Sequence, residues 1–379
     1  MTHPRTLAVY YAHPDWFRPL FAELERRGVH HVRVDAGRFS FDPAAQIDPA
    51  PHGVGRDATD ASDAPIAAAP STNGAGHTLV FNRMSPSAWK RGRGHAILYT
   101  LHYLRYLERA GVPVVNGVRA FTVETSKALQ VSLIRRLGLL APRTRVVNHP
   151  TVLPVAARGL EFPLVVKPNI GGSGAGIVRF DAHEELEAAV AQDLIPPSVD
   201  EILLLQEFHP SRDGSIVRVE TLEGRYLYGI RVHIEEGAGY NLCPADICRD
   251  VSGHALESAA CPAGAAQAGL SVEAYEPSGE IRSEVEAIAR ASGLDVGGIE
   301  YLVSRRDGRR YYYDINALSN FVADPVRVLG FDPTAKLVDA LVARASATRP
   351  AAWARSKPGR VRVAARRASG NLARAKRAS

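Results

Sequence analysis

Residues 165–176 read Val-Val-Lys-Pro-Asn-Ile-Gly-Gly-Ser-Gly-Ala-Gly. A lysine ends a run of valines, and glycines follow at 171, 172, 174 and 176. Among 46 Lys and Arg, only Lys90, Lys127, Lys167, Lys336, Lys357 and Lys376 are lysine. Arginine is thus the default cation, and a lysine in an apolar strand points to a need for a compact ammonium on a flexible stem. A P-loop places its lysine after the last glycine and then opens a helix. Here no lysine follows, and Gly176-Ile-Val-Arg-Phe180 is strand-like. A dinucleotide fingerprint, G-x-G-x-x-G opening a helix, fails on spacing. What remains is strand–loop–strand: backbone N–H groups that close over an anion, with Lys167 directed at the same anion.

The elements that must carry this loop follow from periodicity. Residues 6–12 form a buried strand, 15–28 a helix with an Asp start and a Gly stop, and 30–36 a second strand. Strand–helix–strand implies a parallel α/β unit. Residues 42–76, rich in Ala, Pro, Asp and Gly, read as a mobile insertion. A strand and polar turn over 78–87, a helix through 97–111 and a strand at 112–117 complete the unit. The spacing predicts one helix over 122–138, capped by Thr122, with Glu124 in its first turn and Gly138 as its stop. Strands at 162–168 and 176–180, a helix at 181–192 and a strand at 201–208 surround the glycine loop. Hairpins at 214–234 and 297–316 follow, with helices at 280–294 and 332–346.

Length and charge bound the rest. At 379 residues, 46% hydrophobic and 23% charged, the chain is long enough for two or three globular domains. It has no stretch long and apolar enough for a membrane span and no secretory leader pattern. Three cysteines exclude a disulfide framework, so a cytoplasmic setting is expected. The net charge of +6 is a property of the tail, since residues 351–379 hold nine Lys/Arg and no acid, which leaves −3 elsewhere. The tail is expected to be disordered, with weak contact to nucleic acid or an anionic surface as the sharper reading.

The order of "FNRMSPS", "VPVVNG", "ETSKALQ", "FPLVVKP" with its Gly/Ser loop, and "LLLQEFHP" resembles the ATP-grasp superfamily, in the style of RimK-type amino-acid ligases. The resemblance runs from about residue 112 to 345. It implies an α/β (α+β) chain with a pre-ATP-grasp domain over 1–118, a two-lobed ATP-grasp domain over 119–346 with its lid lobe near 140–208, and a tail over 347–379. By this resemblance Lys127 and Lys167 contact nucleotide phosphates, and Gly171, Gly172, Ser173 and Gly174 form the lid over them. Gln206, Glu207, Phe208 and His209 form the adenine-reading hinge. Asp213 holds the ribose, although it reads equally as a turn residue. Arg218 and Arg231 face the transferred phosphate. The segment "NALSNF" (316–321) departs from the Ser-Pro-Gly that follows the metal asparagine in many relatives, so the acceptor substrate is not carried over.

Metal binding makes a geometric demand. A strand at "YYYDIN" puts Asp314 and Asn316 on one face, and hard oxygen donors suit Mg²⁺ or Mn²⁺ bridging phosphates, as two ions. The resemblance adds Glu300 from the partner strand. A two-residue Asp307-Gly308 turn pairs residues that sum to 615 and sets Glu300 on the wrong face. A three-residue loop, Arg306–Gly308 with Gly308 left-handed, pairs residues that sum to 614 and sets Glu300 opposite Asp314. Cys243, Cys248, Cys261 and His254 are spaced too irregularly for a zinc site and read as thiols and a histidine of a substrate-side loop.

The resulting expectation is an ATP- and Mg²⁺-dependent ligase joining a small carboxylate to an amine, amino acid or peptide in kind, through an acyl phosphate. A homo-oligomer is compatible with it. A small-molecule kinase on the same scaffold and a nucleotide-binding regulatory protein without turnover are the alternatives.

Overall fold

A computed structural model describes residues 6–41, 78–235, 240, 242–243, 247, 249–256 and 269–347. By its contacts the chain divides into Met1–Arg349 and Pro350–Ser379. The expected insertion at 42–76 and the basic tail beyond Ala347 lie outside the described residues.

The first elements are β1 (Thr6–Tyr11), α1 (Arg18–Arg26), β2 (His31–Asp35), β3 (Thr78–Arg83), α2 (Gly94–Arg109) and β4 (Val114–Val115). The strands form a parallel sheet in the order β2-β1-β3-β4. Leu7 to Tyr11 of β1 are buried without alternation, as a strand covered on both faces requires. One face packs against Ile97, Tyr103, Leu104 and Leu107 of α2. The other packs against Leu20, Phe21 and Leu24 of α1.

The single helix expected over 122–138 is two helices, α3 (Val118–Glu124) and α4 (Lys127–Arg136). Ser126 is extended (φ −146°, ψ 99°), and its Oγ accepts the Leu129 N–H, so Ser126 and not Thr122 is the cap. A serine hydroxyl competes with helical hydrogen bonding, and at this point it wins. Glu124 consequently ends a helix rather than opening one.

Next come β5 (Thr144–Val147), α5 (Leu153–Ala156), β6 (Leu164–Pro168), β7 (Val178–Phe180), α6 (His183–Ala191) and β8 (Leu203–Glu207). They form an antiparallel sheet in the order β5-β8-β6-β7. Leu164, Val166, Leu203 and Leu205 bury one face against Leu153 and Leu186. Alternation sends Val165 and Lys167 to the other face.

The remaining elements are β9 (Ser215–Leu222), β10 (Arg225–Ile234), β11 (Leu270–Ala274), α7 (Gly279–Ser292), β12 (Val296–Val303), β13 (Arg310–Asn316), α8 (Pro325–Leu329) and α9 (Pro333–Ala347). The strands lie antiparallel in the order β11-β10-β9-β12-β13. Val217, Val219, Ile299, Tyr312 and Ile315 bury one face against Val285 and Ile288 of α7. Leu337, Val338 and Leu341 of α9 return to the β1–β3 core. No helix among the described residues is long and apolar enough to cross a membrane.

Candidate functional site

A cavity of about 520 Å³ lies where these layers meet, and the expected glycine loop, lysines and hairpin face it together. Its floor is the β9-β12-β13 face. The pairing Arg218↔Glu300↔Asp314 sets three charged side chains in one row across three strands. Glu220↔Gly298↔Asn316 forms the next row. Residues paired across strands share a face, so register alone assembles this cluster.

The register holds, but by a different device than expected. The β12–β13 turn pairs Ser304 with Arg309 through the Arg309 carbonyl, which leaves a four-residue loop, Arg305–Gly308. Gly308 is left-handed (φ 69°), as expected. Tyr301↔Tyr312 and Val303↔Arg310 then sum to 613, which alone would turn Glu300 away from Asp314. A bulge between Glu300 and Tyr301 restores the sum to 614 and pairs Glu300 with Asp314. The extra residue is Tyr313, so Tyr313 and Asp314 both border the cavity while Tyr312 enters the core.

Arg218 is 4% exposed. Its Nε donates to Glu220 (2.6 Å), Nη1 to Glu300 (2.8 Å) and Nη2 to the Ser319 hydroxyl (3.0 Å). Burial opposes its charge, but Glu220 and Glu300 outweigh burial and keep it protonated. A Cβ on Gly298 would stand 2.6 Å from Arg218 Nε and from Glu220 Oε1, so this cluster demands glycine there. Glu300 titrates above the usual carboxylate range because it is buried. Asp314 titrates below it, since the attraction of Lys127 outweighs burial. Asn316 turns its Nδ2 toward Glu300 Oε1 (3.4 Å), which leaves its oxygen to accept or ligate.

Lys127 opens α4 and bonds Asp314 as well as Gln130 (3.3 Å). Burial pulls its pKa down, yet Asp314 and Glu124 together hold it above the ordinary lysine value. Lys167, 8% exposed, donates to Gln206 Oε1 (2.8 Å). Burial, with Lys127 nearby, lowers its pKa to about 8. Gln206 in turn donates to Thr144 (2.8 Å). In the glycine loop, Ser173 (φ 50°) and Gly174 (φ 65°) are left-handed. A Cβ on Gly172 would meet Ser87 Cβ at 2.7 Å, so the loop lies directly on the 3₁₀ turn Pro86–Arg91.

Three residues of the site escaped sequence reading. Glu220 is fully buried, and its Oε2 has no hydrogen-bond partner. Glu124 is buried against the Ala317 N–H, and burial raises its pKa to about 7. Asn169 ties the helix that carries Lys127 to the strand that carries Lys167. Its Oδ1 accepts from Ala128 N (3.0 Å) and Ser126 Oγ (3.2 Å), and its carbonyl accepts the Lys127 N–H (3.2 Å). The signal for it was the asparagine directly after Lys-Pro.

Gln206, Glu207, Phe208 and His209, expected to form a hinge, also line the cavity. The amides of Glu207 and Phe208 donate to the Arg143 and Pro163 carbonyls (both 2.9 Å), so neither is available to a base. His209 Nδ1 pairs with the Ser304 hydroxyl (3.0 Å), and its ring lies 4.0 Å from that of Tyr311. Two expected site residues do not join the rest. Arg231 pairs with Val217, while Ile230 faces Arg218, so Arg231 projects from the opposite face of the sheet. There it lies over Tyr275 (4.6 Å) and 3.9 Å from Asp213. Cys243 borders the cavity, whereas Cys248 and Cys261 are outside the described residues. His254 pairs with Asp250 (3.4 Å). Among the described residues no three His, Cys, Asp or Glu side chains converge as a metal cluster. The candidate donor set is therefore two carboxylates and one amide.

No family model matches the chain. It is 30% identical over 140 residues to a D-alanine–D-alanine ligase of Haemophilus influenzae (strain PittEE), covering 36% of this chain and 45% of that protein. It is 25% identical over 138 residues to the carbamoyl phosphate synthase large chain of Rhodopirellula baltica, covering 36% of this chain and 13% of that one. The chain spans less than half the length of these curated relatives. Among solved structures it is similar to the ATP-grasp ligase PsnB complexed with a precursor variant, Mg and ADP, at TM-score 0.56 and 22% identity, over 89% of this chain and 98% of that one. It is also similar to a RimK domain protein of Sphaerobacter thermophilus, at TM-score 0.55 and 16% identity, over 88% and 99%. A parallel α/β sheet followed by two antiparallel sheets around one charged cavity, matched along nearly the whole chain, is the fold this protein shares with those ATP-grasp structures.

Proposed function

We propose that this protein is an ATP- and Mg²⁺-dependent carboxylate–amine ligase. The observation that carries the reading is the Arg218–Glu300–Asp314 row facing Lys127, Lys167 and the glycine loop across one cavity. Two domains are assigned with it: 1–118, and 119–346 with the lid lobe near 140–208. Glu300, Asp314 and Asn316 suit magnesium, because their free atoms are hard oxygens and two carboxylates converge beside a single amide. Lys127 and Arg218 now neutralise those carboxylates. When bound, the metal would supply charge neutralisation between the nucleotide phosphates.

A substrate carboxylate oxygen attacks the γ-phosphorus of ATP, and ADP leaves. An amine nitrogen then attacks the acyl carbon, the C–N bond forms, and phosphate departs with the C–O electron pair while the amine loses its proton. Lys127, Lys167 and Arg218 hold and orient the phosphoryl oxygens as charge redistributes. Lys167 is poised for this, because an anion offsets the cost that burial places on its charge. The glycine loop excludes water that would otherwise hydrolyse the acyl phosphate. Arg231, on the far face, takes no part in this mechanism.

The test supplies full-length protein, ATP and Mg²⁺ with pairs of amino acids and amines, and reads ADP release with mass detection of products. An amide formed one-for-one with ADP is expected. A phosphorylated hydroxyl product would replace this reading with a kinase. Nucleotide binding with no ADP across the panel would replace it with a protein that lacks turnover.

A further inference from the structure

Four acids border the main cavity: Glu124, Glu207, Glu300 and Asp314. Three of them have a cation at ion-pair distance. Glu207 faces Arg143 (3.2 Å), Glu300 faces Arg218 (2.8 Å), and Asp314 is bonded by Lys127. Glu124, the last residue of α3 and 4% exposed, has no such partner among the described residues. Its Oε2 accepts the Ala317 N–H. Its Oε1 accepts no hydrogen bond from a described residue and yet is not wholly buried, so it keeps a surface on the cavity.

Gln130 fixes this placement. Its Nε2 donates to the Val123 carbonyl (3.0 Å) and the Ile315 carbonyl (2.8 Å), and its Oε1 accepts the Ile315 N–H (3.1 Å). The end of α3 is thereby tied to β13, the strand that carries Asp314 and Asn316. Ala317 follows Asn316, so Glu124 stands beside the candidate metal donors, where an acyl phosphate would form. Burial raises its pKa to about 7 against the attraction of Lys127, and Asp314 on β13, Arg218 on β9 and Arg83 on β3 also act on it. A base works best when its pKa lies near the working pH. The other bases at the cavity are engaged. Lys167 is bonded to Gln206, and the unbonded Nε2 of His209 is fully buried, with no surface at which to receive a proton.

We infer that Glu124 is the general base of the second half-reaction, its Oε1 taking the proton that the amine nitrogen loses. This step rests on the ligase reading. The nitrogen lone pair forms the C–N bond, the C–O bond to phosphate breaks, and phosphate leaves with that electron pair. The N–H proton passes to Glu124 and from there to solvent as product departs.

The experiment uses full-length protein, ATP, Mg²⁺ and the carboxylate–amine pair that gives an amide. It sets that amine against hydroxylamine, which is uncharged at neutral pH and traps an acyl phosphate as a hydroxamate without a base. Glu124→Gln keeps an acceptor for the Ala317 N–H and removes the base. Its amide formation is expected to fall by about 10²–10⁴-fold and its hydroxamate formation far less, so the hydroxamate-to-amide rate ratio rises at least about 10-fold over wild type. Glu124→Asp, with the base kept but drawn back, should give an intermediate ratio, and it decides should Glu124→Gln fail to fold. A merely structural role would slow both reactions equally. An unchanged ratio, or undiminished amide formation by Glu124→Gln, would overturn the inference and leave the ligase reading intact. A wild-type protein that forms neither amide nor hydroxamate from any carboxylate would overturn the ligase reading, and this inference with it.

Discussion

Replacing Lys167 by methionine should make the protein more stable at neutral pH while removing its turnover. The stem volume is kept and the ammonium is lost. Lys167 has a folded pKa of about 8 against an ordinary value of 10.5. A group whose folded pKa lies below its unfolded one opposes folding at low pH, and the penalty fades as pH climbs from the folded value to the unfolded one. For these two values the penalty is about 3 kcal/mol at pH 7 and about 1.4 kcal/mol at pH 9.5. The substitution also orphans Gln206 Oε1, a loss of about 1–3 kcal/mol that does not depend on pH. The absolute gain at pH 7 is therefore small, about 0–2 kcal/mol. The difference between the two pH values removes the Gln206 contribution. Urea unfolding of both proteins at pH 7 and at pH 9.5 should show the variant's advantage shrinking by about 2 kcal/mol at the higher pH. An advantage that stays constant, or grows, would refute a desolvated lysine. ADP release by the variant should be lost at both pH values, and normal turnover would refute the assignment to phosphate.

Two further outcomes separate residues that sequence reading placed together. Arg218→Met should abolish turnover and destabilise the protein by about 3–5 kcal/mol, because Glu220 and Glu300 are left buried and uncompensated. Arg231→Met, on the opposite face, should change kcat/KM by less than a few-fold; a loss equal to that of Arg218→Met in a steady-state ADP assay would place Arg231 in the site after all. Chelation should silence ADP release reversibly, with recovery on adding Mg²⁺ or Mn²⁺. Asp314→Asn should raise the metal concentration that gives half-maximal rate, and an unchanged metal titration would remove Asp314 from the donor set.

Much of the site was legible because strands alternate. Lys167 in a valine strand, the glycines after it, and Asp314 and Asn316 two apart needed only that periodicity, and the structure places all of them on one cavity. Register was legible in outcome and not in means. Parity demanded that Glu300 face Asp314, but a four-residue loop plus a bulge satisfies parity as well as the three-residue loop does. Arg231 falls on the other face for the same reason. Which strand face an arginine takes depends on its cross-strand partner, here Val217, and one strand cannot reveal that. The break at Ser126 and the role of Asn169 depend on each other, since the cap and its tether lie 43 residues apart in the chain. Glu220 and Glu124 gave no local signal, because their burial is created by layers that pack only in the folded state.

The return of α9 to the first sheet bears on the order of assembly. Leu7, Val9, Leu79 and Phe81 share their core with Leu337, Val338 and Leu341. During synthesis the sheet finishes β3 at Arg83, yet part of its apolar face waits for residues made some 250 positions later. At about 5–20 residues per second, that interval is roughly 12–50 s. Throughout it a parallel sheet, already slow to pair, presents hydrophobic surface to its surroundings. The helix that closes the molecule is thus also the step at which a nascent chain ceases to be vulnerable to aggregation, and destabilising α9 should lower the yield of folded protein well before it touches the chemistry of the cavity.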